Sequence, residues 1–181
     1  MALVDHQQLI FQQTKNFSRN DFAILDLQGQ QLAHVETGGS VLGRMFMGAR
    51  ELRLYDGPHN HVLTVLDPPG LGRDRYEIRD PQGNAQAYLV KNISFFRTKV
   101  TVEIPGETIV LNGNVWDFNF QFQGQHGLMA TVSREWSGLG RALMGHSTYQ
   151  LSLAPLLTAP QRLTIIGSLL ALDLIREKQE H

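Results

Sequence analysis

The chain has 181 residues, a size that suits one domain with a single hydrophobic core. Lys and Arg total 16 against 17 Asp and Glu, which gives a formal net charge of −1. This balance argues against a nucleic-acid-binding protein, because nothing attracts the whole chain to a polyanion. The absence of cysteine excludes disulfides, thiolate metal sites and thiol nucleophiles, and is typical of a reducing compartment.

The first residues are not expected to form a secretion signal. They contain Asp5, His6 and several glutamines, where a signal peptide needs a basic start followed by an apolar run. We therefore expect a cytoplasmic protein whose residues 1–181 fold as a single domain, with a peripheral position at the membrane as a further option.

Residues 22–153 alternate between apolar and polar side chains, which is typical of half-buried antiparallel strands. In the clearest stretch, Phe118, Phe120 and Phe122 alternate with Asp117, Asn119, Gln121 and Gln123. A strand here would direct the three rings inward and the four polar groups outward.

Turn signals separate these alternating runs. They are residues 26–29 and 80–83, each with the pattern Asp-x-x-Gly, together with Pro105-Gly106 and Asn112-Gly113. The spacing predicts about twelve short strands, the first near Leu9 and the last near Ser152. So many strands need closure into a barrel or a second sheet. Residues 38–48 and 68–72 are predicted loops.

The last element is a predicted helix, with Pro160 in its first turn and Thr158 as its cap. The apolar residues cover most of the helix circumference, so we expect burial. The residues expected to hold the helix in the core include Leu163, Ile166, Gly167, Leu169, Leu170 and Asp173. Thr164, Gly167, Ser168 and Ala171 form a stripe of small residues that would let a neighbouring backbone approach closely.

A membrane span is the rival interpretation of this segment. A span needs about 20 apolar residues, and extending the run backwards includes Arg162 and two prolines. Asp173 blocks extension in the other direction, at a cost of about 2.5–3.5 kcal/mol if it were placed centrally. Burial within the protein is the better prediction, with Asp173 near the barrel's end and bonded to backbone N–H groups or a basic side chain.

Candidate chemistry is sparse. His59 and His61 are two residues apart and would share a face of an extended segment, but no further metal ligands accompany them, so a polar hairpin loop is the preferred interpretation. No nucleophile, phosphate-loop or zinc motif is present. We therefore expect no catalytic residues, no metal, no cofactor and no enzymatic activity.

Basic residues form a mild cluster. Arg50, Arg53, Arg73 and Arg75 are the candidate ligand-binding residues, since folding could gather them into an anion-binding patch. The competing interpretation is a solvated strand face, because Glu51, Asp74 and Glu77 lie among them.

The order of features resembles the tubby C-terminal-like superfamily, in particular its phospholipid scramblase and LURP-one-related branches. Residues 130–138 (ATVSREWSG) and 148–151 (TYQL) resemble two of its strands, and residues 75–83 and 112–118 are similar to its hairpins. Residues 172–175 (LDLI) resemble part of the helix that the family threads through its barrel. The resemblance covers residues 9–175.

This resemblance implies a mainly β fold, in which a closed antiparallel barrel of about twelve strands surrounds a buried apolar C-terminal α-helix. It further implies a non-enzymatic binding module that docks on anionic phospholipid or phosphoinositide headgroups. The alternatives are a scaffold for an unknown protein partner, a lipid-moving scramblase or a small-ligand receptor. Calcium-activated scrambling is not expected, because residues 141–152 contain no Asp or Glu to bind the cation.

Overall fold

A computed structural model describes residues 3–16, 19–38, 50–57, 59–68, 75–93, 98–134 and 148–180. Within these residues, a short 3-10 helix (Leu3–Asp5) is followed by twelve strands and one long helix, α1 (Ala159–Glu180). The strands are β1 Gln8–Asn16, β2 Arg19–Leu25, β3 Gln31–Gly38, β4 Arg50–Asp56, β5 Asn60–Asp67, β6 Arg75–Arg79, β7 Ala85–Ile93, β8 Thr98–Ile104, β9 Glu107–Asn114, β10 Asn119–Gly124, β11 Gly127–Ser133 and β12 Thr148–Leu153.

The strands form a closed antiparallel barrel. Each strand pairs with its neighbours in the sequence, and β1 pairs with β12 to complete the ring. The closing register places Leu9 opposite Leu151 and Phe11 opposite Tyr149. Closure leaves none of the twelve described strands at an unpaired sheet edge. The predicted barrel of about twelve strands with one C-terminal helix is confirmed.

Strand alternation supplies the core, as β10 illustrates. Phe120 and Phe122 are buried, whereas Asn119 and Gln121 between them are exposed. Phe118 is also buried, but the prediction that it belongs to the same strand is wrong. Phe118 lies in the turn before β10 with a φ of 51°, so its ring reaches the core from a left-handed turn conformation.

Two predicted turns share one construction. In both Asp-x-x-Gly hairpins the glycine N–H donates to the carbonyl of the aspartate, from Gly29 to Asp26 (3.1 Å) and from Gly83 to Asp80 (3.0 Å). The aspartate side chain also accepts from the N–H four residues later, at 2.8 Å in each case. Positive φ values at both glycines allow these turns.

The prediction of a turn at Asn112-Gly113 is wrong. Both residues belong to β9, where Gly113 pairs with Phe120, and the chain reverses at residues 115–118 instead. Gly113 is needed for a close approach of strands: a Cβ there would lie 2.7 Å from the carbonyl oxygen of Asn119. The predicted loops 38–48 and 68–72 lie almost entirely outside the described residues.

The start of α1 agrees with the predicted cap. The Thr158 hydroxyl accepts from the N–H of Gln161 (3.4 Å), and the Gln161 amide oxygen accepts from the N–H of Thr158 (2.9 Å), so the two residues form a reciprocal capping box. Pro160 occupies the first turn. No helix in the described residues is long and apolar enough to cross a membrane.

Residues 164–175 of α1 are buried against the strands. The large apolar members, Ile165, Ile166, Leu169, Leu170, Leu172, Leu174 and Ile175, are at most 4% exposed. Leu163 is only partly buried, because it lies where the helix meets the rim of the barrel. At full burial each large side chain contributes about 1.5–3 kcal/mol, so the helix is a principal source of stability.

The stripe of small residues on α1 packs against a side chain of β6, whereas the sequence predicted the close approach of a neighbouring backbone. A Cβ at Gly167 would lie 2.8 Å from Cγ2 of Ile78 on β6, so the glycine makes room for this isoleucine. The Ser168 hydroxyl donates to the carbonyl of Thr164 (2.7 Å) within the helix and so remains satisfied in the core.

Candidate functional site

The two termini of α1 define two ends of the barrel. The N-end contains the start of α1 and the turns that follow β2, β4, β6, β8 and β10. The C-end contains the last turns of α1, the starts of β4, β6 and β12, and the turn between β9 and β10. Since the interior between the ends is filled by the side chains of α1, a ligand must bind at the outer surface or at one of these ends.

Arg162 anchors the helix at the N-end. It is buried, and its guanidinium donates to the carbonyls of Leu157, His6 and Pro155, each at 3.1 Å. These carbonyls belong to the segment before β1 and to the connection between β12 and α1. A buried guanidinium with several acceptors is satisfied by hydrogen bonds alone. Arg162 therefore fixes three segments to one another.

Carboxylates surround this N-end. They are Asp5, Asp26, Asp56, Asp80 and Glu107. Several cap backbone N–H groups: Asp56 accepts from Leu3 (3.1 Å) and Glu107 from Gln125 (2.7 Å). Among the described residues, the Lys and Arg side chains at this end are Arg79, which is paired with Glu77 at 2.7 Å, and the buried Arg162. The N-end surface therefore carries an excess of negative charge.

The C-end is built around stacked rings. Tyr149 lies between Phe11 and Phe118, with ring centroids 5.2 and 4.1 Å away and nearly parallel planes. The guanidinium of Arg176 lies 4.7 Å from the Phe118 ring centroid, and that of Arg134 lies 5.7 Å away. Both distances suit cation–π contact. The stack therefore ends in two positive groups at the surface of the barrel end.

Tyr149 and Asp173 are buried beneath these arginines. The Tyr149 hydroxyl has no hydrogen-bond partner among the described residues. Burial raises the pKa of Tyr149 well above its ordinary value, Asp173 adds to the rise, and Arg176 and Arg134 partly oppose it. Asp173 is 8% exposed, and it acts electrostatically on Tyr149 together with Arg134 and Arg176.

Of the four predicted ligand-binding arginines, the structure describes the side chains of Arg53 and Arg75, and these two lie apart. Arg50 and Arg75 are the first residues of β4 and β6, so both lie at the C-end. Arg53 lies further along β4, and its Nε donates to Glu51 at 2.5 Å, which raises the pKa of Arg53. Arg73 and the side chain of Arg50 lie outside the described residues.

Strand register explains why Arg53 and Arg75 are separated. Arg53 lies opposite Thr64 of β5, which lies opposite Arg79 of β6. Arg75 is four residues before Arg79, about 13 Å along the strand. Arg53 therefore has Arg79 as its neighbour across β5, a pairing that the sequence analysis missed.

Arg75 has the most suitable geometry for binding an anion. Its guanidinium carbon lies 3.8 Å from the Tyr88 ring centroid, and one terminal nitrogen lies 3.6 Å from a Glu103 oxygen. The side chain is 51% exposed. Stacking on the ring fixes the guanidinium plane and leaves N–H groups on its edge free to contact phosphate oxygens.

The histidine pair does not converge on a metal. His59 is exposed, and Nε2 of His61 lies 2.9 Å from the Thr64 hydroxyl and 3.1 Å from the Leu63 carbonyl. The His61 ring also contacts Tyr55, which stacks on His34. Among the described residues no group of three or more His, Asp or Glu side chains could hold a metal ion.

Two cavities open at the N-end. One, of about 220 Å³, lies between the start of α1 and strands β5 to β7, and includes Leu163 and Ile78 in its walls. The other, of about 350 Å³, lies between the β10–β11 turn and the connection from β12 to α1, and includes Met129 and Leu157. Apolar side chains dominate both.

Comparison with known proteins agrees with this architecture. The sequence matches the LURP-one-related family over residues 7–164, from just before β1 into the first turns of α1. The chain belongs to the LURP-one-related family. LURP-one-related proteins are part of the tubby-like C-terminal barrel superfamily, so the predicted resemblance is confirmed. No curated protein sequence matches the chain.

Proposed function

We propose that this LURP-one-related protein is a non-enzymatic binding module that docks through the C-end of its barrel on anionic phospholipid or phosphoinositide headgroups. The observation that carries the proposal is the unequal charge of the two ends. Carboxylates dominate the N-end, whereas Arg75, Arg134 and Arg176 lie at the C-end. An anionic surface would therefore be repelled by one end and attracted by the other.

Further basic positions support the same orientation. Three further basic residues lie at the C-end of the barrel by their place in the strands. Lys15 is near the end of β1, and Arg19 and Arg50 are the first residues of β2 and β4. Carboxylates occur there as well: Glu103 lies 3.6 Å from Arg75, Glu51 follows Arg50 in β4, Glu177 and Glu180 belong to the last turns of α1, and Asp67, Asp117 and Asp173 lie nearby, of which Asp67 and Asp173 are buried. The filled interior disfavours a small-ligand receptor that would bind inside the barrel, and it leaves docking by the outer surface as the better-supported activity.

Liposome co-sedimentation tests the proposal. The full chain is mixed with neutral phosphatidylcholine vesicles and with vesicles that also contain phosphatidylserine or a phosphoinositide. We expect weak binding to the anionic vesicles alone, which declines as salt is raised. Replacing Arg50, Arg53, Arg73 and Arg75 together by glutamine should abolish it. Equal sedimentation with neutral and anionic vesicles would overturn the proposal.

A matched pair of variants tests the orientation. Arg75 and Arg79 lie at opposite ends of β6, point to the same outer face and are each near a glutamate. Arg75→Gln should weaken binding by about fivefold, since a basic residue near an anionic surface contributes about 1 kcal/mol. Arg79→Gln should leave binding nearly unchanged. Equal losses in both variants would show that general charge, and not the C-end, attracts the vesicles.

A further inference from the structure

Two leucines at the N-end are exposed beside an apolar cleft. Leu156 is 95% exposed and Leu128 is 50% exposed, and both belong to the walls of the 350 Å³ cavity. Met129, Pro155 and Leu157 contribute further apolar surface to the same cavity. A single exposed leucine is ordinary, but a contiguous apolar patch beside a cleft is typical of an interaction site.

The segment that carries Leu156 is held in place on both sides. Arg162 donates to the carbonyls of Pro155 and Leu157, the two residues that flank it. The N–H of Ala154 donates to the carbonyl of Met129 at 2.8 Å. Leu156 is therefore presented to solvent by a fixed backbone, which reduces the entropy lost when a partner covers it.

The opposite wall of the cleft is also rigid, and it carries charge. Glu107 accepts from the N–H of Gln125 at 2.7 Å, and the Gln125 side chain donates to the carbonyl of Gly106 at 3.2 Å. These bonds join the β8–β9 turn to the β10–β11 turn. They also place the Glu107 carboxylate at the edge of the cleft, next to the apolar surface.

We infer that this cleft binds a segment of a partner protein that combines large apolar side chains with Lys or Arg. The apolar residues would cover Leu128 and Leu156, and the cationic residues would approach Glu107 and the other carboxylates of the N-end. An anionic membrane is the less suitable occupant, since the same carboxylates would repel its headgroups. This is a second surface, opposite the proposed lipid-docking end.

Selection from a displayed library of random short peptides, with the intact chain as bait, tests the inference. We expect enriched peptides to pair Leu, Ile, Phe or Met with Lys or Arg. A synthetic copy of an enriched peptide is then titrated by fluorescence anisotropy. Replacing Leu128 and Leu156 together by glutamine should weaken its binding at least about tenfold. Glu107→Gln should weaken it less and reduce its salt dependence.

Control variants separate this surface from the rest of the barrel. Leu27→Gln changes a leucine in the β2–β3 turn of the same end and should leave peptide affinity unchanged, with thermal melts to verify folding. Arg75→Gln should not affect the peptide, and the double leucine variant should not affect liposome sedimentation, so the two proposals fail independently. Enriched peptides without basic residues, peptide affinity unaffected by the leucine variant, or leucine-dependent self-association or vesicle binding would each overturn the inference.

Discussion

The two ends of the barrel hold the same helix by different chemistry. At the N-end the buried Arg162 is satisfied by backbone carbonyls, whereas at the C-end Asp173, Arg176 and Arg134 act electrostatically on the buried Tyr149. Between them the helix contacts are apolar and non-directional. The comparison indicates that the middle of the helix supplies most of the stabilising free energy, while the polar ends fix how far the helix is inserted.

The largest effect is expected from removing the helix. Deleting residues 160–181 should abolish the fold, because the buried side chains of α1 together contribute as much free energy as the whole net stability of a domain. Circular dichroism and thermal melting of the truncated chain measure this. A cooperative melt with a native-like β signal would show that the strands close without the helix.

The N-end contact is tested by Arg162→Met, which keeps the length and apolar stem of the side chain. The loss of a shared donor for three carbonyls should lower the free energy of unfolding by about 3 kcal/mol, as measured by urea denaturation. Arg162→Lys is the matched control. It should recover only part of the loss, because an ammonium cannot reproduce the planar arrangement of guanidinium N–H donors. Wild-type stability of Arg162→Met would remove the anchoring role.

The middle of the helix is tested by Gly167→Ala. The added methyl would lie 2.8 Å from Cγ2 of Ile78, so we expect a loss of about 1–3 kcal/mol in spite of the higher helix propensity of alanine. In the Ile78→Ala background the same substitution should cost less, or even stabilise. Additive effects in the double-mutant cycle would mean that the two residues are not in tight contact.

The smallest effect is expected at the C-end, from Tyr149→Phe. Near neutral pH the change should be small, since the hydroxyl has no partner among the described residues. The raised pKa of Tyr149 in the folded state gives a stabilisation that is present below the unfolded-state pKa of about 10 and is lost as the pH rises through the folded-state value. The variant should therefore lose less stability than the wild type above about pH 10 in urea denaturation. Parallel declines in both proteins would exclude Tyr149 as the cause.

Local sequence patterns predicted most of the fold. Alternation identified the strands because inward and outward positions repeat every two residues, and the Asp-x-x-Gly pattern identified turns whose bonds span only four residues. The turn prediction at Asn112-Gly113 was wrong because Gly113 allows a close approach between β9 and β10, and this approach depends on tertiary packing. The strand prediction for Phe118 was wrong because a buried ring in a left-handed turn has the same spacing in the sequence as a buried ring on a strand.

The candidate sites were less predictable, because they depend on register and closure. Arg53 and Arg75 are near in sequence, yet two intervening strand pairings separate them, and the same pairings bring Arg79 opposite Arg53. Arg134 and Arg176 approach one ring, that of Phe118, from distant segments, and neither carries a local signal. The sequence shows that Leu156 is a large apolar residue in a connection rich in prolines and leucines. It does not show that Leu156 is exposed, because this depends on the backbone that Arg162 holds in place.

The pairing of β1 with β12 also governs the order in which the molecule can form. The ribosome makes β1 before the other strands, but its second neighbour β12 and the helix α1 are made only after β2 to β11. Until then β1 and β11 each have an edge open to other chains, and the inward faces of the strands lack their packing partner. Folding during synthesis must therefore wait until β12 and α1 have been made, with late, long-range closure as the slow step.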